Sequence, residues 1–116
     1  SLADGIAAIY TGVESILEAV GNEIDEYSPR GGGAHTELVD GMAVAVEGLR
    51  PAVLSEATRA LMHELRKFRH VVRHKYALQL KRRDVGRNFV LAKRLLPAFE
   101  RDWRRFVRAM LEENPG

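Results

Sequence analysis

Apolar residues recur along this chain at spacings of three and four and nowhere alternate in steps of two. The pattern restricts the fold to packed α-helices. The first stripe is nearly continuous: Leu2, Ile6, Ile9, Val13, Ile16, Val20, Ile24 and Tyr27. It predicts a helix over residues 2–27, in which Gly12 and Gly21 each cost about 1 kcal/mol relative to alanine. Ser28, Pro29, Arg30 and three glycines then form a connection, because proline ends a helix and glycine runs do not sustain one. The run matches neither GxGxxG nor GxxxxGK[ST] and follows no strand, so it is read as a plain linker and not a phosphate cradle.

A second helix is expected over residues 35–46, ending near Gly48, with an extended step at Arg50 before Pro51. Ser55 suits the N-cap of a third helix and Glu56 its first turn; that helix is expected to reach about residue 80. A fourth is expected over residues 84–111, with Ala92, Leu96, Phe99, Trp103, Phe106 and Met110 on one stripe. Pro97 inside it should kink or split it. The expected fold is a single all-α domain over residues 1–116, a bundle of about four helices.

A chain of 116 residues forms one modest core. It has no cysteine, which excludes a disulfide scaffold, a thiolate metal site and a cysteine nucleophile. No apolar run approaches the roughly 18–20 residues needed to cross a bilayer, and no signal-peptide pattern opens the chain; the expected location is cytoplasmic, with no membrane partner. The first methionine is Met42, so native residues are expected to be missing before Ser1. The net charge of +2 conceals an asymmetry. Residues 1–60 carry three basic and ten acidic side chains, whereas residues 61–116 carry fifteen and six. Either the halves neutralise one another or the second half faces a polyanion.

The third helix carries the most distinctive stretch, Arg66-Lys67-Phe68-Arg69-His70-Val71-Val72-Arg73-His74-Lys75-Tyr76. At about 100° per residue, Leu61, Leu65, Phe68, Val72 and Tyr76 fall on a core stripe. Arg66, Arg73 and three of the four histidines (His63, His70, His74) share the opposite, basic face, with Arg69 on its border. Three readings compete. His70 and His74 have an i,i+4 metal-ligand spacing, but no third ligand is evident and the surrounding cations oppose a dication. A solvated basic face is the plain alternative. The third reading is a phosphate-ester site: arginine offers a planar donor fork for phosphate oxygens, and histidine exchanges protons near neutral pH.

Arg69-x4-His74-x-Tyr76 resembles the R-x4-6-H motif of HEPN-domain proteins, and more narrowly the R-x4-H-x-Y form of HepT-like ribonuclease toxins. Tyr10 to Glu14 in the first helix, His35 before Leu38 and Met42, Arg50-Pro51, and His70 directly after Arg69 agree with that pattern, so the resemblance covers most of the chain. It implies a metal-independent endoribonuclease without cofactor, the toxin of a prokaryotic toxin–antitoxin pair. It further implies a homodimer whose two motifs meet in one cleft, and a nucleotidyltransferase antitoxin that adds AMP to Tyr76. The chain opens inside what should be the family's first helix, which puts the completeness of the dimer in question.

Spacing bears on the dimer independently. Residues five apart on a regular helix point about 140° apart, so Arg69 and His74 of one straight helix do not easily reach one phosphorus. Either the helix loosens near His74, or a second copy completes the site by two-fold contact. In the resulting scheme His74 abstracts the ribose 2′-OH proton, Arg69 stabilises the phosphorane-like transition state, and a 2′,3′-cyclic phosphate forms. His70 and Arg73 support the site. Arg66, Lys67 and Arg73, with the row Arg101, Arg104, Arg105 and Arg108, would hold the RNA backbone.

Plainer roles stand beside these. Arg69 could pair with Glu14 or Glu18, Tyr76 could simply pack, and the fourth-helix row could be a solvated face. His35 is expected to cap the second helix, and Trp103 and Phe106 to belong to the core. Two other functions fit the same residues: a catalytically silent HEPN module that binds a nucleotide or the nucleotidyltransferase, and a basic bundle that binds nucleic acid without cutting it.

Overall fold

The computed structural model describes residues 1–74 and 80–113. Four α-helices make up the bundle: α1 (Leu2–Val20), α2 (Ala34–Met42), α3 (Glu56–His74) and α4 (Arg82–Glu113). The all-α expectation holds. An isolated antiparallel bridge between Val46 and Arg50 is the single extended pairing among the described residues. Helix α1 packs against each of the other three, and α3 lies between α2 and α4. Ile6, Tyr10 and Leu17 of α1, Val39 of α2, Met62 and Leu65 of α3, and Leu95 of α4 are almost wholly buried. No described helix is long and apolar enough to cross a membrane.

Two helix ends differ from the sequence expectation, each for a local reason. The first helix widens after Val20 into one π turn, Gly21–Asp25, and stops at Glu26, whose φ of 54° is left-handed. The wide turn lets Ile24 stay packed against the core before the chain leaves. Tyr27 N–H closes the end by donating to the Gly21 carbonyl at 3.0 Å. Helix α2 ends at Met42 and not at residue 46, because the Met42 carbonyl accepts from the N–H groups of both Val53 and Leu54, at 2.9 and 3.0 Å. Leu80 lies outside α3, whose described part ends at His74; residues 75–79, with Tyr76, lie outside the described residues.

Gly21 is therefore more than a weak point. A Cβ there would stand 2.8 Å from the Tyr27 carbonyl oxygen, too close for the turn to survive unchanged. Around Gly12, by contrast, nothing lies within 4 Å of that position. Gly21→Ala is expected to lower stability by about 1–3 kcal/mol. Gly12→Ala is expected to raise it by about 0.5–1 kcal/mol, since only the backbone entropy of glycine is removed. Urea titrations of the two variants check both signs.

Ser55 caps α3 as expected, its Oγ accepting from Thr58 N–H at 3.3 Å. Asp102 of α4, buried in the interface, accepts from Ser55 N–H at 2.9 Å and from its hydroxyl at 3.0 Å, so the start of α3 is fixed by a helix 47 residues away. Helix α4 runs through Pro97 as one element of 32 residues and is not split. Its inward stripe is Ala92, Leu95, Phe99, Asp102 and Phe106. Leu96, expected inside, is half exposed, because Leu95 takes the position three residues after Ala92. Phe106 is buried, and the Trp103 ring packs between Phe99 and Phe106, with centroids 5.9 and 5.5 Å away.

Candidate active site

The C-terminal half of α3 brings together most of the basic residues singled out in the sequence. Arg66 and Arg69 are half-buried, while His70, Arg73 and His74 are exposed one turn further on. The His70 and His74 rings lie 4.4 Å apart, centroid to centroid, inclined at 40°. Helix α3 remains α-helical through His74, so the five-residue offset from Arg69 to His74 keeps its angular separation of about 140°. No group of three metal-ligating side chains occurs among the described residues.

Arg69 is held by α1. Its Nε–H donates to the Thr11 hydroxyl at 3.1 Å, and among the described residues no carboxylate pairs with it. Glu14, one candidate partner, is already engaged. It is 3% exposed, and its Oε2 accepts from the Tyr10 hydroxyl and from His35 Nδ1, both at 2.6 Å. Burial and the Glu14 carboxylate push the Tyr10 hydroxyl far above its ordinary pKa, and the fields of Arg66 and Arg69 partly oppose them. A neutral hydroxyl anchoring Nε leaves the guanidinium its full charge and both Nη groups for a phosphate.

A second chain of contacts fixes Arg66. Its Nε–H donates to His63 Nδ1 at 3.2 Å, so His63 accepts on that nitrogen and carries its proton on Nε2. Nε2–H in turn donates to Asp40 Oδ1 of α2 at 2.7 Å. The His63 ring and the Arg59 guanidinium, whose Nε donates to the same oxygen at 2.8 Å, hold the Asp40 carboxyl below the usual carboxylate range. His63 is thus a spacer between a carboxylate and Arg66 and does not join the exposed pair of histidines.

The remaining candidates sit elsewhere. Lys67 turns away from this face, stands 3.7 Å from Glu64, and lines a groove of about 560 Å³ between α3 and α4 with Phe68, Val71 and Asp84. In the α4 row, Arg104 pairs with Glu100 at 2.7 Å and Arg105 with Asp102 at 3.3 Å; Arg101 and Arg108 are exposed. His35 is not the cap of α2. Gly33 occupies that position with φ 79°, and the imidazole reaches across to Glu14. Thr11, Glu14 and Asp40 were not singled out by sequence spacing as members of the site. The available signal was the Tyr10–Glu14 pair at i,i+4, which places both on one face of α1.

The fold and this face define a small all-α domain with an arginine–histidine centre suited to an anionic ester. The family model for HepT-like proteins matches residues 1–110, and the chain belongs to that family. No curated protein and no solved structure matches the chain.

Proposed function

We propose that this chain is a metal-independent endoribonuclease, the toxin of a cytoplasmic toxin–antitoxin pair. The observation that carries the reading is Arg69. It is steered by the Thr11 hydroxyl, has no carboxylate partner among the described residues, and lies one turn from the exposed His70–His74 pair. A structural arginine would be neutralised; this one keeps its charge for a substrate. His74 takes the proton from the ribose 2′-OH, O2′ attacks the adjacent phosphorus, and the Arg69 fork stabilises the charge that develops on the phosphoryl oxygens. His70 and Arg73 bind or orient the phosphate. Arg66, fixed through His63 and Asp40, binds the next phosphate along the backbone. Lys67 and the exposed Arg101 and Arg108 contribute to backbone binding at a greater distance.

The regular helix through His74 supports completion of the site by a second copy, whose motif would meet this one across a two-fold axis. Family membership supports a nucleotidyltransferase antitoxin as partner, with Tyr76 the residue to which AMP is added.

The test is cleavage of labelled total RNA in EDTA by the parent and by His74→Ala. Cleavage by the parent, ending in 2′,3′-cyclic phosphate and falling at least about 100-fold in the variant, is the expected outcome. A folded, unmodified parent that cuts nothing would rule out the enzyme and leave a silent binding module.

A further inference from the structure

The scheme above assigns a base but no group of the same chain to protonate the leaving 5′-oxygen. We propose that His35 is that group: a second acid–base histidine, oriented by the buried Glu14 and held at the level of Arg69 along the bundle. The proposal rests on the ribonuclease reading.

Three observations converge on it. First, the imidazole has the arrangement of a histidine in a catalytic dyad. Glu14 accepts from Nδ1 at 2.6 Å, which fixes the ring and makes Nδ1 the donor in either protonation state; Nε2 is the only atom left to handle a proton. Secondly, the two partners differ sharply in exposure. The Glu14 side chain is 4% exposed and the His35 side chain 50%, so the carboxylate is withdrawn from solvent while the ring is presented to it. Glu14 gains nothing from water and serves its two donors, Tyr10 and His35. On the other side the ring borders a cleft of about 300 Å³ lined by Glu18 and Arg30.

Thirdly, the packing brings His35 level with the arginines. Asp40 of α2 meets His63 of α3, and Arg69 of α3 meets Thr11 of α1. Glu14, one turn beyond Thr11, holds His35, so α2 and α3 run in opposite directions past one another. Five residues back from Asp40 along α2 is a rise of about 7.5 Å, which matches five residues forward from His63 along α3. That level falls between Arg66 and His70. His74 of the same copy points about 140° away from Arg69, so the base that meets His35 around one phosphodiester is the His74 that a second copy brings across the two-fold axis. His70 is the less suitable acid: its ring lies against His74, and no carboxylate orients it among the described residues.

The step balances within these groups. The O2′–P bond forms as the O2′ proton passes to His74; the P–O5′ bond breaks as the Nε2 proton of His35 passes to O5′. The products are a 2′,3′-cyclic phosphate and a 5′-hydroxyl. His74 ends as the imidazolium and His35 as the neutral ring, and exchange with water resets both.

The experiment compares an RNA that the parent cleaves with the same RNA carrying sulfur in place of the bridging 5′-oxygen at the cut linkage. A thiolate leaves without protonation, so loss of the acid should not slow that substrate. His35→Asn keeps a donor near the Nδ1 position for Glu14 and removes Nε2; His35→Ala removes both, and circular dichroism establishes that each is folded. The expected result for His35→Asn is a kcat about 100-fold lower on the ordinary linkage, little change in KM, and near-parental cleavage of the sulfur linkage. An unchanged rate on ordinary RNA, or an equal loss on both substrates, would overturn the proposal and leave Glu14–His35 as a clamp between α1 and α2. A parent that cleaves neither substrate would instead remove the ribonuclease reading, and this inference with it.

Discussion

Arg50→Ala is expected to destabilise the protein by about 3–5 kcal/mol, a large share of what holds a domain of this size together. The side chain is 1% exposed, and each of its five N–H donors has an acceptor. Nε and Nη2 bind the two oxygens of Asp25 at 2.6 and 2.9 Å. Nη1 donates to the carbonyls of Val44 and Pro51, and Nη2 also to that of Gly41. One guanidinium thus ties together the π turn after α1, the end of α2 and the turn leading to α3. Alanine would leave a carboxylate and three carbonyls without their donor, where a buried ion pair replaced as a whole by apolar groups often costs little. Arg50→Lys should recover only a minor part, because an ammonium cannot match the fork. Urea titration measures both. A loss below about 1 kcal/mol for Arg50→Ala would mean that water replaces the side chain freely.

The same residue illustrates what the sequence conveys and what it withholds. Arg50-Pro51 is legible as an extended step that separates two helices, because proline restricts its predecessor. That Arg50 is buried is not legible, since its acceptors are backbone carbonyls and an aspartate 25 residues away. Helix stripes were readable in part, because periodicity is a local property: Ile6, Val13, Val20, Leu65 and Phe68 are inside as their spacing requires, whereas Leu2, Ile16 and Tyr27 of the stripe expected for the first helix are exposed and Tyr10 and Leu17 are buried instead. The exchange of Leu96 for Leu95 on α4 turns on 100° of rotation, which neighbouring leucines do not reveal. Buried Asp102 escapes a hydrophobic pattern altogether, although it positions the start of α3.

In the candidate site, Arg69, His70 and His74 stood out because one helix carries them. The contacts of their neighbours did not, because each neighbour comes from another helix: Thr11 and Glu14 from α1 and His35 from α2 were named only through the family resemblance, as a possible ion pair or as a cap, and Asp40 of α2 not at all. The reading of His35 as a cap failed at this step. A histidine just inside a helix start is consistent with capping, and only the packing of α2 on α1 shows its ring meeting a buried carboxylate.

The largest expected effect on activity apart from loss of His74 is that of Arg69→Lys, about 100- to 1000-fold in kcat with a much smaller change in KM. Lysine preserves the charge, so long-range attraction of RNA persists and binding to the rest of the basic face is retained. It removes the planar fork that can meet two phosphoryl oxygens at once, and it removes Nε, the atom through which Thr11 sets the orientation. The stability change should stay within about 1 kcal/mol, because the described partner of Arg69 is a single neutral hydroxyl at a half-buried site. Thr11→Val tests the orientation separately. It leaves the guanidinium intact but unanchored, so it should lower kcat by less than Arg69→Lys does. Combining the two should add little, since both act through the same side chain. Single-turnover cleavage of a labelled RNA, with melting curves in parallel, separates these effects. If Arg69→Lys cut RNA at the parental rate, charge alone would suffice at this position, and Arg69 would be one more phosphate-binding cation of α3.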